Sequence, residues 1–571
     1  MEKRWNLDDL HKNYDEAYAN LEKAAQAAQY FASRYKADLG KDIDKAISEY
    51  ESISEMIERS AYYAMLDYST HLKDTKVAQH YAKIQEKIAQ INQDLVFFTL
   101  AINKLEQAPQ NSRYQNWINH IRLMKDYELS EELEALLCDK DLTSHSAWMR
   151  LFDEMTAHMT FDFQGQTVGL EKVLEGMSSN DATIRKTAAD SLHVGLQKDI
   201  KWITYIFNTL IQDKMLIDKK RKFKSPMQPR HIANQIEGEV VETLCSTVKK
   251  NYSKLSHRWY ALKARCLDKA KIDYWDRNAP LFVDKEIEIP YAEAEKIVLT
   301  AYGEFSPAIA DIVQKFFDNP WIDVPAKDDK RSGAFSAATI PSAHPYVLLN
   351  YQNRIRDVAT LAHELGHAVH QYLARDVGTL EQDAPLTIAE TASVFGEMLT
   401  FNYLKNSGKY DSRMLLAAKI DDMINTVVRQ IAFYEFEKKV HKHRIETGEL
   451  TTEDFNHYWI ETQKEALGEA VNLDPICHNF WSYVGHFFHA PFYVYAYAFG
   501  DCLVNSLFMV YQDTNDKETF KKQYIDLLKA GGSKPYRELL KPFNLDPSDP
   551  TFWEKGLSLI TKLMDELETQ L

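Results

Sequence analysis

The chain has 571 residues, 45% of them hydrophobic, and a formal net charge of −16 at pH 7. That is ample for a large core and too long for one simple domain. The negative charge disfavours nucleic acid and anionic membrane surfaces as partners. The five cysteines are odd in number and form no CxxC pair, which reads as free thiols in a reducing compartment.

The opening MEKRWNLDDLHKNYDEAY has no apolar core of a signal peptide, and no stretch reaches 18 consecutive apolar residues. A cytoplasmic protein without a membrane span is the expectation. Gly and Pro are scarce, 19 and 17, and amphipathic patterns run from Leu7 to Ile200 and again from Leu386 onward. This predicts a mainly helical protein. The segment FDFQGQTVGL, beginning at Phe161, is strand-like amid helices. It marks a boundary near Gly165 to Asn180, with an N-terminal helical region at 1–190 and a catalytic region at 191–571. The basic run from Lys214 to Lys224 reads as a solvated helix face.

Two short strands are predicted next, Gly333 to Thr339 and Tyr346 to Tyr351, with Pro341 and Pro345 bounding the connection. Gly333, Ala334 and Ser336 are small enough to let a peptide backbone approach by strand addition. An ordinary hairpin is the alternative.

The stretch LATLAHELGHAVHQYL follows. Val358, Leu361, Ala362, Leu365, Val369 and Tyr372 recur at helical steps. On that helix His363 and His367 lie one turn apart on one face, so both imidazoles can hold one tetrahedral Zn²⁺. Glu364 then projects beside the metal, where a carboxylate can take a proton from water. This is the HExxH pattern of zinc peptidases.

A catalytic zinc needs a third protein ligand. A further His six residues after the second is excluded, because that position is Leu373. The next helical pattern, TIAETASVFGEMLTFNYL, offers Glu390 and Glu397 on nearly one face. Thr387 and Glu390 also read as a capping box. Pairing with the HExxH helix favours Glu390 as ligand and Glu397 as the acceptor that orients a ligand imidazole. A di-metal carboxylate site needs a second Glu-x-x-His, and His367 alone has a Glu three residues before it.

Late in the chain, His486, His489, Tyr493 and Tyr497 recur at steps of three, four and four. On a continuous helix they make one polar-tipped stripe. Peptide hydrolysis builds negative charge on the carbonyl oxygen, and a Tyr O–H or His N–H can donate to it. The alternative is an aromatic core stripe, which is the better reading for Tyr495. Pro491 can instead start a helix and take His486 and His489 off the stripe.

The run GAFSAATIPSAHPYVLLNYQNRIRDVATLAHELGHAVHQYL, then IAETASVFGE, resembles the oligoendopeptidase F branch of the thimet-oligopeptidase-like zinc metallopeptidases. RWNLDDL, RWYALKARCLDKAKIDYWDRNAPL and HFFHAPFYVYAYAFG extend the resemblance along the chain. It implies one zinc at His363, His367 and Glu390, with Glu364 as base. It favours His486, Tyr493 and Tyr497 as oxyanion donors. It also implies a helical, clam-like fold with a deep central cleft and a small β-sheet beside the zinc helix, acting on short oligopeptides. A non-catalytic helical peptide-binding protein would need a degenerate zinc site, and here every expected group is present.

Overall fold

The computed structural model describes residues 3–39, 42–106, 109, 112–282 and 287–571. The described residues are mainly helical, with three small sheets. Two compact units are each assembled from three stretches of chain. The first comprises Met1–Lys125, Glu286–Ser407 and Val510–Asp546; the second comprises Asp126–Lys285, Gly408–Met509 and Pro547–Leu571. The expected cut at residue 190 coincides with neither unit's boundary. It falls inside the 40-residue helix Ala182–Arg221, whose apolar positions Leu192, Leu196, Ile203 and Phe207 are buried without interruption.

In the first unit the helices Tyr14–Tyr35, Ile43–Thr70 and Thr75–Lys104 pack on one another. Asn13, Asp42 and Asp74 cap their N-termini through side-chain oxygens. Their apolar faces share one core with Ala337, Ile340, Ala343 and Tyr346. Each fully buried Leu, Ile or Phe there contributes about 1.5–3 kcal/mol. Trp5 meets the Tyr346 ring edge-on at 6.0 Å, and the Tyr346 hydroxyl donates to the Asn6 carbonyl at 2.8 Å.

The two predicted strands are present as Phe335–Ala337 and Tyr346–Tyr351, paired antiparallel. They are more than a hairpin. Ile322–Pro325 joins the other side of Tyr346–Tyr351 in parallel, which leaves Phe335–Ala337 at an edge of a three-stranded sheet. Tyr346–Tyr351 is central and its apolar residues face the core on both sides, so its sequence runs Tyr-Val-Leu-Leu without alternation.

The second unit contains the strand-like segment read near Phe161. It is a hairpin, Phe161–Phe163 with Gln166–Val168. Gln164 and Gly165 form its turn, both with positive φ, 53° and 76°. The helix Ala182–Arg221 stacks Phe207 on Phe455 at 5.1 Å and lies near Trp481 and Phe488. The basic run at its end is only partly solvated: Lys214 pairs with Asp218 at 2.6 Å, both largely shielded. Cys245, Cys266, Cys477 and Cys502 are free. Among the described residues, no helix is long and apolar enough to cross a membrane.

Candidate metal centre and catalytic residues

The HExxH helix spans Ile355–Ala374. Asp357 closes its start by accepting from the backbone N–H groups of Gln352 and Arg354 at 2.8 and 3.0 Å. Val358, Leu361, Leu365 and Val369 are buried along one stripe. That fixes the rotation of the helix and leaves His363 and His367 partly exposed on the other side.

The expected helix after Pro385 is broken in two. Leu386–Ala389 forms a single turn, Glu390 is its C-cap, and a new helix begins at Ser393. Glu390 therefore closes no capping box; the turn has no side-chain cap at its N-terminus. The break lets the chain approach the HExxH helix at Gly366. A Cβ there would lie 2.4 Å from the Ala392 carbonyl oxygen and 2.5 Å from the Ser393 Cα, so only glycine fits. A second close approach sits one helix further out. The Tyr302 hydroxyl donates to the Ala362 carbonyl at 2.7 Å and occupies the space a side chain at Gly396 would need.

These contacts bring Glu390 to the histidines. Its Oε2 stands 3.5 Å from the Nε2 of His363 and 3.5 Å from the Nε2 of His367. Donor atoms of the three residues all lie within 4.8 Å of one another. Ligand atoms about 2.0–2.1 Å from a tetrahedral zinc stand about 3.3–3.4 Å apart, so this set fits the metal in chemistry and spacing. The Ser393 hydroxyl donates to Glu390 Oε2 at 2.6 Å and holds the carboxylate in place.

His363 Nδ1 is 2.6 Å from Glu397 Oε1, so an N–H there is oriented by that carboxylate and Nε2 is left as the ligand nitrogen. The Ala389 carbonyl faces His367 similarly. Burial opposes a charge on His363. The hydrogen bond to Glu397 and the charges of Glu397, Glu390 and Glu364 outweigh it and raise the pKa to about 9. Burial lowers His367 to about 4. The carboxylates around these rings thus call for a cation, and a divalent ion satisfies them better than one proton.

Glu364 is 7% exposed. Burial pushes its pKa up to about 7, against the opposing pull of His363 and a hydrogen bond from the Ser336 backbone N–H. Ser336 is bound to the same helix twice more: its hydroxyl donates to Gln371 Oε1 at 2.6 Å, and its carbonyl accepts from Gln371 Nε2 at 3.2 Å. Its polar groups are engaged by the helix, which sequence reading missed. The signal was present, since Gln371 lies four residues beyond His367. Gly333, with φ +80°, is exposed, and its carbonyl accepts from Asn350 Nδ2 at 2.7 Å. Ala334 is half-buried.

His486, Tyr493 and Tyr497 belong to the second unit. They do not lie on one regular helix. His486–His489 is one turn, the next helix begins at Tyr495, and between them Phe492 has φ +60°. Pro491 interrupts the stripe as its ring and missing N–H require. The three residues still cluster. His486 Nε2 is 3.1 Å from the Tyr497 hydroxyl, His486 and Tyr493 rings are near-parallel at 6.3 Å, and the two tyrosine rings meet edge-on at 5.3 Å. His489 leaves the group and pairs with Asp153 at 2.7 Å. Tyr495 is buried core, its hydroxyl accepting from Asn234 Nδ2 at 2.8 Å.

Comparison with known proteins decides the family. Residues 176–559 match the model of peptidase family M3, and residues 101–161 match that of oligopeptidase F. The chain belongs to peptidase family M3. It is a metalloendopeptidase. Oligopeptidase PepF of Bacillus subtilis (strain 168) is 27% identical over all of this chain and 87% of its own length. The chromosomal oligoendopeptidase F of Lactococcus lactis subsp. cremoris is 24% identical over 99% of this chain and 96% of its own. In fold, the chain is similar to a crystal structure from Chlamydophila abortus (TM-score 0.86, 24% identity, 100% and 98% of the two chains). It is also similar to oligoendopeptidase-F from Enterococcus faecium (TM-score 0.69, 21% identity, 97% and 98%).

Proposed function

We propose that this M3 metalloendopeptidase is zinc-dependent and cuts internal bonds of short oligopeptides in the cytoplasm, with residues 191–571 carrying the chemistry and 1–190 a helical N-terminal region. The observation that carries the reading is the His363, His367 and Glu390 cluster with buried Glu364 beside it. Those three residues would hold the ion. Zinc, when bound, supplies a Lewis acid that acidifies water and polarises the scissile carbonyl.

The remaining work falls to side chains. A Glu364 carboxylate oxygen takes a proton from the attacking water and passes it to the amide nitrogen as the C–N bond breaks, so one residue serves as base and then acid. Glu397 keeps the His363 imidazole in its ligating tautomer. Gly333, Ala334 and Ser336 border the substrate backbone, with Ser336 also fixing Glu364 through its N–H. His486, Tyr493 and Tyr497 are the candidate donors to the oxyanion, chosen on their chemistry and mutual contact.

A peptide of about ten residues, acetylated at one end and amidated at the other, tests the reading. Mass spectrometry should find two complementary fragments, one with the acetylated end and one with the amidated end, and chelation should stop their formation until zinc is restored. Trimming of single residues from unblocked peptides alone, with the blocked peptide intact, would contradict it.

The donors have their own test. An oxyanion hydrogen bond forms fully only in the transition state, so Tyr497→Phe or Tyr493→Phe should lower kcat and kcat/KM together with little change in KM. The expected loss is about 10²–10³-fold for one donor. Phe keeps the ring contacts and removes the hydroxyl alone. Wild-type kcat in both variants and in His486→Ala would put the donor elsewhere.

A further inference from the structure

Glu390 reaches the histidines at the end of a segment with little regular structure of its own. The HExxH helix ends at Ala374, Arg375–Val377 makes one further turn, and residues 378–385 form neither helix nor strand. A metal ligand has to be held within about 0.5 Å of its working position. Irregular backbone does not provide that alone, so the restraint comes from what the segment packs on.

The segment is pinned to distant stretches of the first unit. Glu51, buried on the helix Ile43–Thr70, meets it at Gly378 and Leu380. Glu51 Oε1 accepts from the Leu380 N–H at 3.4 Å. A Cβ on Gly378 would collide with that oxygen and stand 3.0 Å from Cδ of the same carboxylate. Gly378 also has φ +95°, which residues with a side chain rarely adopt. The Glu381 side chain accepts from the Trp117 N–H at 3.1 Å, and its carbonyl accepts from the Gly532 N–H at 2.6 Å. Gln382 Nε2 donates to the Thr339 carbonyl at 2.8 Å, just beyond the edge strand Phe335–Ala337.

Glu51 differs from the rest in being a buried carboxylate supplied from outside the segment. Its other oxygen, Oε2, accepts from the Tyr114 hydroxyl at 2.8 Å and from Arg113 Nη2 at 2.7 Å. Both oxygens are thus committed, and the side chain is braced between residues 113–114 and the segment. Burying a carboxylate adds little stability over an apolar side chain of like size, but its directed hydrogen bonds select one geometry.

We propose that Glu51 is a positioning residue of the metal centre. By bracing Gly378 and Leu380 it holds the path of the segment that delivers Glu390 to His363 and His367. The inference rests on Glu390 being a ligand, as read above. Without the brace the segment takes other paths. Apparent zinc affinity then falls with the fraction of chains that keep Glu390 in place, about tenfold for a fraction of about one tenth.

Zinc titration of the metal-free full-length variants against a competing chelator, with thermal melting of the same samples, tests this. Glu51→Ala should bind zinc about tenfold more weakly. Glu51→Gln keeps an acceptor for the Leu380 N–H and should show a smaller, still measurable loss; it carries the test if the Ala variant fails to fold. A purely structural role would lower the melting temperature of the metal-free chain and leave zinc affinity alone. Action through Glu390 has its own signature: in a Glu390→Ala background, Glu51→Ala should cause no further loss. Wild-type zinc affinity in the folded Glu51 variants, or the same fold-loss with and without Glu390, overturns the proposal. If Glu390→Ala binds zinc as tightly as the wild type, it is the ligand reading that fails. If Glu390→Ala loses zinc and the Glu51 variants do not, the positioning role alone is refuted.

Discussion

Glu364→Gln should abolish most turnover while leaving the metal site intact. The amide matches the carboxylate in size and can still accept from the Ser336 N–H, but it cannot take a proton from water. General base and acid assistance contributes about 10²–10⁴-fold, and this residue is assigned both roles, so kcat should fall to the upper part of that range or beyond. His363, His367 and Glu390 are untouched, so zinc content and peptide affinity should stay near wild type. Single-turnover kinetics with metal analysis of the same sample checks this. Near-normal turnover at stoichiometric zinc would refute Glu364 as the base.

Glu390→Ala should act differently, by losing the ion. Removing the carboxylate leaves two imidazoles and takes away one of the two acceptors of the Ser393 hydroxyl, the other being the Glu390 carbonyl. Metal affinity and activity should fall together, and added zinc should restore activity only partly. Glu397→Ala removes the partner of His363 Nδ1 and should weaken affinity by about 10–100-fold, a smaller loss. Zinc titration of the two variants gives the comparison. Full occupancy in Glu390→Ala would remove it from the ligand set.

The HExxH helix could be read from sequence because two signals coincide there. The apolar stripe from Val358 to Val369 fixes the buried face, and the two histidines fall on the opposite one. Strand Tyr346–Tyr351 was legible through its β-branched and aromatic residues and its flanking prolines. Its parallel partner Ile322–Pro325 was not, because pairing across more than twenty residues leaves no local trace.

The helical period also carried past two breaks. Glu390 and Glu397 were read on one continuous helix, yet the chain leaves helical geometry between Ala389 and Ser393. The reason is tertiary: the Ala392 carbonyl packs against Gly366, whose lack of a side chain carries no sign of what will approach it. Period alone likewise put His486, His489, Tyr493 and Tyr497 in one row. Pro491 and the left-handed Phe492 redirect the chain, and His489 finds Asp153, far away in sequence.

If one zinc is held by His363, His367 and Glu390, anomalous diffraction at the zinc edge, from crystals of the full chain loaded with one equivalent of zinc, should show a single strong peak. That peak should lie about 2.0–2.2 Å from the Nε2 atoms of His363 and His367 and a carboxylate oxygen of Glu390, with Glu364 outside bonding distance. A peak elsewhere, or one ligated by Glu364 or Glu397 in place of Glu390, would contradict it.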